Sequence, residues 1–124
     1  MKHLRDEQTW REAIAAEQAM LFFHCEWGYS ISVLRTLEKW EREWLASGSA
    51  PPVAVYMAAD GDDSAYPPSL LQWLKSQSLD ALAFAGNGEI LWLERGRVVA
   101  KLMRPRGVSP AELTQRTAEL WGLE

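Results

Sequence analysis

Few side chains in this 124-residue sequence could do chemistry, and three of them crowd into one stretch: His24, the single cysteine Cys25, and Ser30. A thiol forms mixed disulfides or senses oxidants when it is exposed and its pKa is lowered, for example beside a helix N-terminus. One cysteine cannot make an intramolecular disulfide, and the same count excludes a CxxC pair or a multi-cysteine zinc site. Cys25 also ends an apolar run, where a small buried residue is the simpler role. Ser30 would need a base and an oxyanion site to act as a nucleophile. His24 is close in sequence but sits among apolar neighbours, and no Gly-x-Ser-x-Gly elbow surrounds the serine. Helix capping therefore accounts for Ser30, and a structural role for His24. His3 is the only other histidine, and no HxxxH or HxH spacing points to a metal. Asp60-Gly61-Asp62-Asp63 lacks the alternating ligands and closing glutamate of a calcium loop, so it reads as a solvated loop.

The elements that must position these groups follow from periodicity. Asp6 to Gln18 carries Trp10, Ala13, Ile14 and Glu17 at helical spacing, with Asp6 available as a cap. Ala19 to Cys25 is a continuous apolar run of strand length, as in a strand buried on both faces. After the short turn Glu26-Trp27-Gly28-Tyr29-Ser30, a long helix presents Val33, Leu34, Leu37, Trp40, Glu41 and Trp44 on one stripe. The composition of 46–52 is that of a loop, and Val53 to Ala58 is a second buried strand. A short helix spans about Ser69 to Ser76, with Pro68 near its first turn.

The last third has hairpin grammar. Ala81 to Ala85 and Glu89 to Glu94 read as strands around a tight turn at Gly86-Asn87-Gly88. Arg95-Gly96 is a second turn before the strand Arg97 to Leu102. Ser109-Pro110-Ala111-Glu112 then gives cap, first-turn proline and reciprocal glutamate for a closing helix with Leu113, Thr117, Leu120 and Trp121 inward. Apolar residues on both faces of 89–94 require cover on both sides, by helices or by a partner. Helices between early strands imply parallel crossovers, and the hairpin adds antiparallel strands. One α/β domain over residues 1–124, with a central mixed sheet between helices, follows.

This frame resembles thioredoxin, in which a buried strand runs into a Trp-Cys-Gly-Pro-Cys turn that opens a long helix. Glu26-Trp27 matches the Glu-Trp pair before that turn, and Gly28, Tyr29, Ser30 and Ile31 occupy the four CxxC positions. Neither redox cysteine is present, and Cys25 stands three places before the first cysteine slot. The family also carries a cis-proline before its third major strand. That slot falls near Leu79 if the strand is 81–85, and near Gly88 if it is 89–94; neither carries proline. A cis bond without proline costs roughly 3 kcal/mol, so a trans bond is expected.

The resemblance implies a thioredoxin-like fold whose redox surface has been altered at both parts. It further implies a redox-inactive protein that works by binding another protein, as an adaptor or chaperone-like assembly factor. Trp27, Gly28, Tyr29 and Ser30, with Leu79 or Gly88 beside them, form the expected contact surface. A monothiol enzyme or oxidant sensor using Cys25 is the alternative, and self-association through an apolar face a third reading. No cofactor or metal is expected. The net charge of −4 argues against nucleic acid, whose phosphates require a basic surface. The acidic turn after Met1 does not read as a secretory signal, and no apolar run is long enough for a bilayer, so a cytoplasmic protein is expected. Seven tryptophans raise the prospect of an aromatic contact face. Arg95, Arg97, Arg104 and Arg106 suit either an acidic partner or protection of a sheet edge.

Overall fold

The apolar run that ends at Cys25 forms the middle of the molecule. A computed structural model describes residues 1–4, 6–25, 30–46, 53–60, 67–79, 87–103 and 108–121. Their elements are β1 (Lys2–His3), α1 (Glu7–Ala15), β2 (Gln18–Cys25), α2 (Ser30–Ala46), β3 (Ala54–Asp60), α3 (Pro68–Ser76), β4 (Asn87–Glu94), β5 (Arg97–Leu102) and α4 (Pro110–Trp121). Among the described residues the strands form one sheet in the order β1-β3-β2-β4-β5. β3 pairs parallel with β1 and β2, while β4 pairs antiparallel with β2 and β5.

Period-two alternation divides the core between the two faces of this sheet. Ala19, Leu21, Phe23, Leu91 and Leu93 pack with Trp10 and Ala13 of α1 and with Leu70 and Leu74 of α3. Met20, Phe22, Ile90 and Trp92 pack instead with Val33, Leu37 and Trp40 of α2 and Leu113 of α4. Helices thus provide the cover that β4 requires on both sides.

The tryptophans mostly serve this core rather than a contact face. Trp10, Trp40 and Trp92 are at most 2 % exposed, and Trp10 meets Trp73 edge-on at a centroid distance of 5.3 Å. Each buried indole N–H needs an acceptor. The indole of Trp40 donates to Thr114 Oγ1 at 2.9 Å and that of Trp92 to Thr117 Oγ1 at 3.0 Å, so α4 holds both. The Trp73 indole donates to the Gly96 carbonyl at 2.7 Å. Trp27 lies outside the described residues.

Local signals set most of the boundaries. Asp6 caps α1 through the Thr9 N–H at 2.9 Å, and Thr9 returns the contact to the Asp6 N–H. The first helix ends at Ala15, three residues short of the expected Gln18, because Ala16 is extended (φ −67°, ψ 143°). Glu17 then gives its carbonyl to the Arg95 N–H at 3.0 Å, tying the helix exit to the hairpin. At α4 the Glu112 N–H donates to Ser109 Oγ at 3.2 Å, while the Glu112 carboxylate faces Arg116 Nε at 3.8 Å. Arg95 (φ 51°) and Gly96 (φ 77°) both occupy left-handed backbone, as a two-residue hairpin turn matched to strand twist requires.

Other boundaries differ from the sequence expectations, and two segments lie outside the described residues. Asn87 and Gly88 are the first residues of β4, not a turn. β1 adds a short fifth strand that periodicity cannot detect in two residues. The expected strand 81–85 lies outside the described residues, as do Gly61-Asp62-Asp63 of the acidic loop.

Glu7 gives the fold a pH-dependent fastening. Its carboxylate accepts from the Ser69 N–H at 3.2 Å, at the start of α3. Hydrogen bonds from the Ser69 side chain and backbone, with Arg11 nearby, hold its pKa below the ordinary carboxylate value. A depressed folded pKa contributes stability that is present above the unfolded pKa and lost as pH falls through the folded one. Glu7→Gln is therefore expected to lower the urea midpoint at neutral pH and to match the parent at an acidic pH where that carboxylate is protonated. Equal deficits at both pH values would refute the assignment.

Candidate functional site

The end of β2 and the first turn of α2 bring the chemistry-bearing residues together. β2 is continuous and apolar, so it stays in the sheet as far as Cys25, whose Cα partner is Asp60 at the end of β3. α2 begins at Ser30 and directs Val33, Leu37 and Trp40 onto the sheet. Across this junction Ser30 Oγ and His24 Nδ1 lie 2.8 Å apart. Both side chains are buried, Ser30 with 0 % exposure and His24 with 8 %. The His24 ring also tilts against Phe22 at a centroid distance of 5.9 Å.

The hydroxyl assigned to helix capping from sequence thus meets the histidine six residues before it. The signal was present in outline: a polar residue inside a buried strand must find a hydrogen-bond partner, and the nearest helix start offers one. Distance alone would suit a nucleophile and its base. Burial decides otherwise, because a serine with no exposed surface presents no oxygen to a substrate. The contact instead fastens the strand end to the helix start. Ser30→Ala is expected to destabilise the fold by about 1–3 kcal/mol, because it takes this partner from a buried imidazole. An unchanged denaturation midpoint would remove that role.

Gly88 completes the junction. It is the second residue of β4, with φ +91°, and a Cβ built on it would lie 2.9 Å from Val33 Cγ2 and 3.5 Å from Ser30 Cα. Pairing shifts here from Phe22↔Ile90 to His24↔Asn87, a bulge that sets Gly88 and Glu89 against Phe23. Glu89 is buried at 1 % exposure. Sequence patterning did not single it out, since it looked like the first polar residue after a turn.

Of the two candidates for the proline slot, Gly88 stands beside Ser30. Leu79 packs with the α1–α3 cluster on the other face, and its N–H closes α3 onto the Leu74 carbonyl at 2.9 Å. Ile31 leaves the junction 42 % exposed. Trp27, Gly28 and Tyr29 lie outside the described residues, and Cys25 is described only by its backbone. Among the described residues no group of three or more His, Cys, Asp or Glu side chains could hold a metal ion, and no helix is long and apolar enough to cross a membrane.

No protein-family model and no curated protein matches the sequence. Solved structures do match the backbone. A thioredoxin from Plasmodium falciparum is similar with a TM-score of 0.58 at 13 % identity, over 96 % of this chain and 98 % of that one. Thioredoxin from Trypanosoma brucei brucei gives 0.59 at 14 % identity, over 98 % and 90 %. Oxidised thioredoxin O2 from Arabidopsis thaliana gives 0.56 at 13 % identity, over 97 % and 93 %. At such identities the likeness establishes the architecture: the chain has a thioredoxin-like fold.

Proposed function

We propose that this chain is a binding module on a thioredoxin-like scaffold, an adaptor or chaperone-like assembly factor that does not exchange disulfides. One observation carries the reading. Where the fold's redox turn opens its long helix, the side chain at Ser30 is buried against His24 and the one at Ile31 is an exposed apolar group. The only thiol in the sequence is Cys25, at the end of β2. A scaffold that retains the strand and the long helix without a thiol pair suits contact better than electron transfer. Trp27, Tyr29 and Ile31 are the residues we assign to that contact, with the partner a protein. The cytoplasm is its expected compartment.

Two measurements test the reading together. The native protein should not accelerate insulin disulfide reduction by dithiothreitol, and Cys25 should alkylate slowly until denaturant is added. Fast labelling near neutral pH, rising with pH as a thiolate does, would replace binding with monothiol chemistry. A photo-crosslinking residue at Ile31 should capture a discrete protein adduct that the same residue at Glu119 does not.

A further inference from the structure

β5 is an outer strand of the sheet, with β4 on one side and, among the described residues, no strand on the other. An open edge presents unpaired backbone N–H and C=O groups to any extended chain of suitable side chains. Those side chains are unevenly distributed. Val98 packs toward the α1–α3 cluster, whereas Ala100 and Leu102 pack toward the α2–α4 cluster. The extra residue between them is Val99, at the bulge where pairing shifts from Trp92↔Ala100 to Leu93↔Val98. From Val99 onward the residues opposed to Ala100 and Leu102 are exposed: Val99 (40 %), Lys101 and, just past the strand, Met103 (36 %).

This stripe reads apolar, cationic, apolar. Lys101 lies opposite the buried Leu91 and enters no ion pair among the described residues. From Arg95 to Met103 the sequence holds Arg95, Arg97 and Lys101 and no carboxylate, although the chain as a whole is acidic. Arg97 is the Cα partner of Glu94 across the hairpin, whereas the Cα partner of Lys101 is the apolar Leu91.

Register selects among occupants. Two copies meeting edge to edge by a twofold axis would pair antiparallel. The register that sets Val99 against Met103 of a second copy places Lys101 directly opposite Lys101. Like charges directly opposed destabilise a strand pair, so that register is disfavoured for a second copy. A strand with a carboxylate between two apolar residues, all at alternate positions, satisfies all three sites.

We propose that the β5 edge docks an extended acidic segment of a partner protein, of the pattern apolar-x-acid-x-apolar, as a sixth strand. The inference rests on the reading of the chain as a binding module and supplies the chemistry of one partner.

The test uses the whole chain, labelled with nitrogen-15. The probe is the capped peptide Thr-Val-Thr-Glu-Thr-Val-Thr, and its counterpart carries lysine in place of glutamate. At about 1 mM the acidic peptide should shift the amides of residues 97–102 and slow their hydrogen exchange. The lysine peptide should bind at least about fivefold more weakly, and Lys101→Glu, at an exposed position, should invert that preference. Absence of β5 shifts, equal binding of both peptides, or shifts confined to Ser30, Ile31 and Gly88 overturns the proposal. So does stronger perturbation of β5 by phosphatidylserine vesicles, or concentration-dependent dimerisation through the same amides. Insulin reduction by the protein would instead remove the binding-module reading, so the two failures are distinguishable.

Discussion

Trp92→Ala is expected to lose about 3–5 kcal/mol of folding stability. Domains of this kind have about 5–15 kcal/mol in total, so the variant should be near its unfolding threshold at ambient temperature. The magnitude follows from position. β4 is an interior strand of the sheet, and Trp92 is 0 % exposed between β2 and α4. Removing the indole opens a cavity that helices on both faces of the sheet cannot easily close. It also takes away the donor that reaches Thr117 Oγ1 at 3.0 Å. Trp92→Phe should lose less, about 1–2 kcal/mol, because it keeps much of the volume and Thr117 still donates to the Leu113 carbonyl at 2.7 Å. Urea denaturation of the pair gives the comparison. A loss below about 1 kcal/mol for the alanine variant would mean that the sheet closes over the gap.

Gly88→Ala should be the second severe change, at about 2–4 kcal/mol, for two separable reasons. The backbone at φ +91° lies where an L side chain is strained. The added Cβ would also approach Val33 Cγ2 to 2.9 Å and Val33 Cβ to 3.3 Å. Val33→Ala removes the 2.9 Å contact with Cγ2, keeps the one with Cβ, and leaves the first reason untouched. In a double-mutant cycle the two substitutions should therefore together cost less than their sum, by about 1 kcal/mol or more. Strict additivity would show that the contact with Val33 Cγ2 contributes nothing. The cycle bears on function as well, because Gly88 and Val33 set how closely β4 approaches the start of α2.

Much of the scaffold was legible because single causes dominated locally. The run to Cys25 could hardly be anything but a strand covered on both faces, and residues 89–94 demanded cover that α1 with α3, and α2 with α4, supply. Arg95-Gly96 and Ser109-Pro110-Ala111-Glu112 were recognisable because turn and cap chemistry act over a few residues. What escaped depended on partners distant in sequence. β1 exists through its parallel pairing with Tyr56 and Met57. Gly86-Asn87-Gly88 announced a positive φ, and a bulge inside a strand satisfies that need as well as a turn does. The tryptophan count suggested a surface, yet the threonines of α4 supply the acceptors that let Trp40 and Trp92 be buried. At the candidate site, His24 and Ser30 were identified separately. Their union required knowing that the start of α2 lies against the end of β2, which brings Ser30 Oγ to His24 Nδ1.

The three indole hydrogen bonds also make the molecule report on its own opening. Trp92 bonds Thr117 from inside the sheet, whereas Trp73, only half-buried, bonds the hairpin-turn carbonyl of Gly96. Exchange of the Trp92 indole proton with solvent deuterium must wait until α4 leaves the sheet, which exposes the α2–α4 core. The Trp73 proton is released when the β4–β5 turn alone lifts from α3. Two resolved proton resonances would therefore time global unfolding and local fraying of the hairpin in one sample, without any added label.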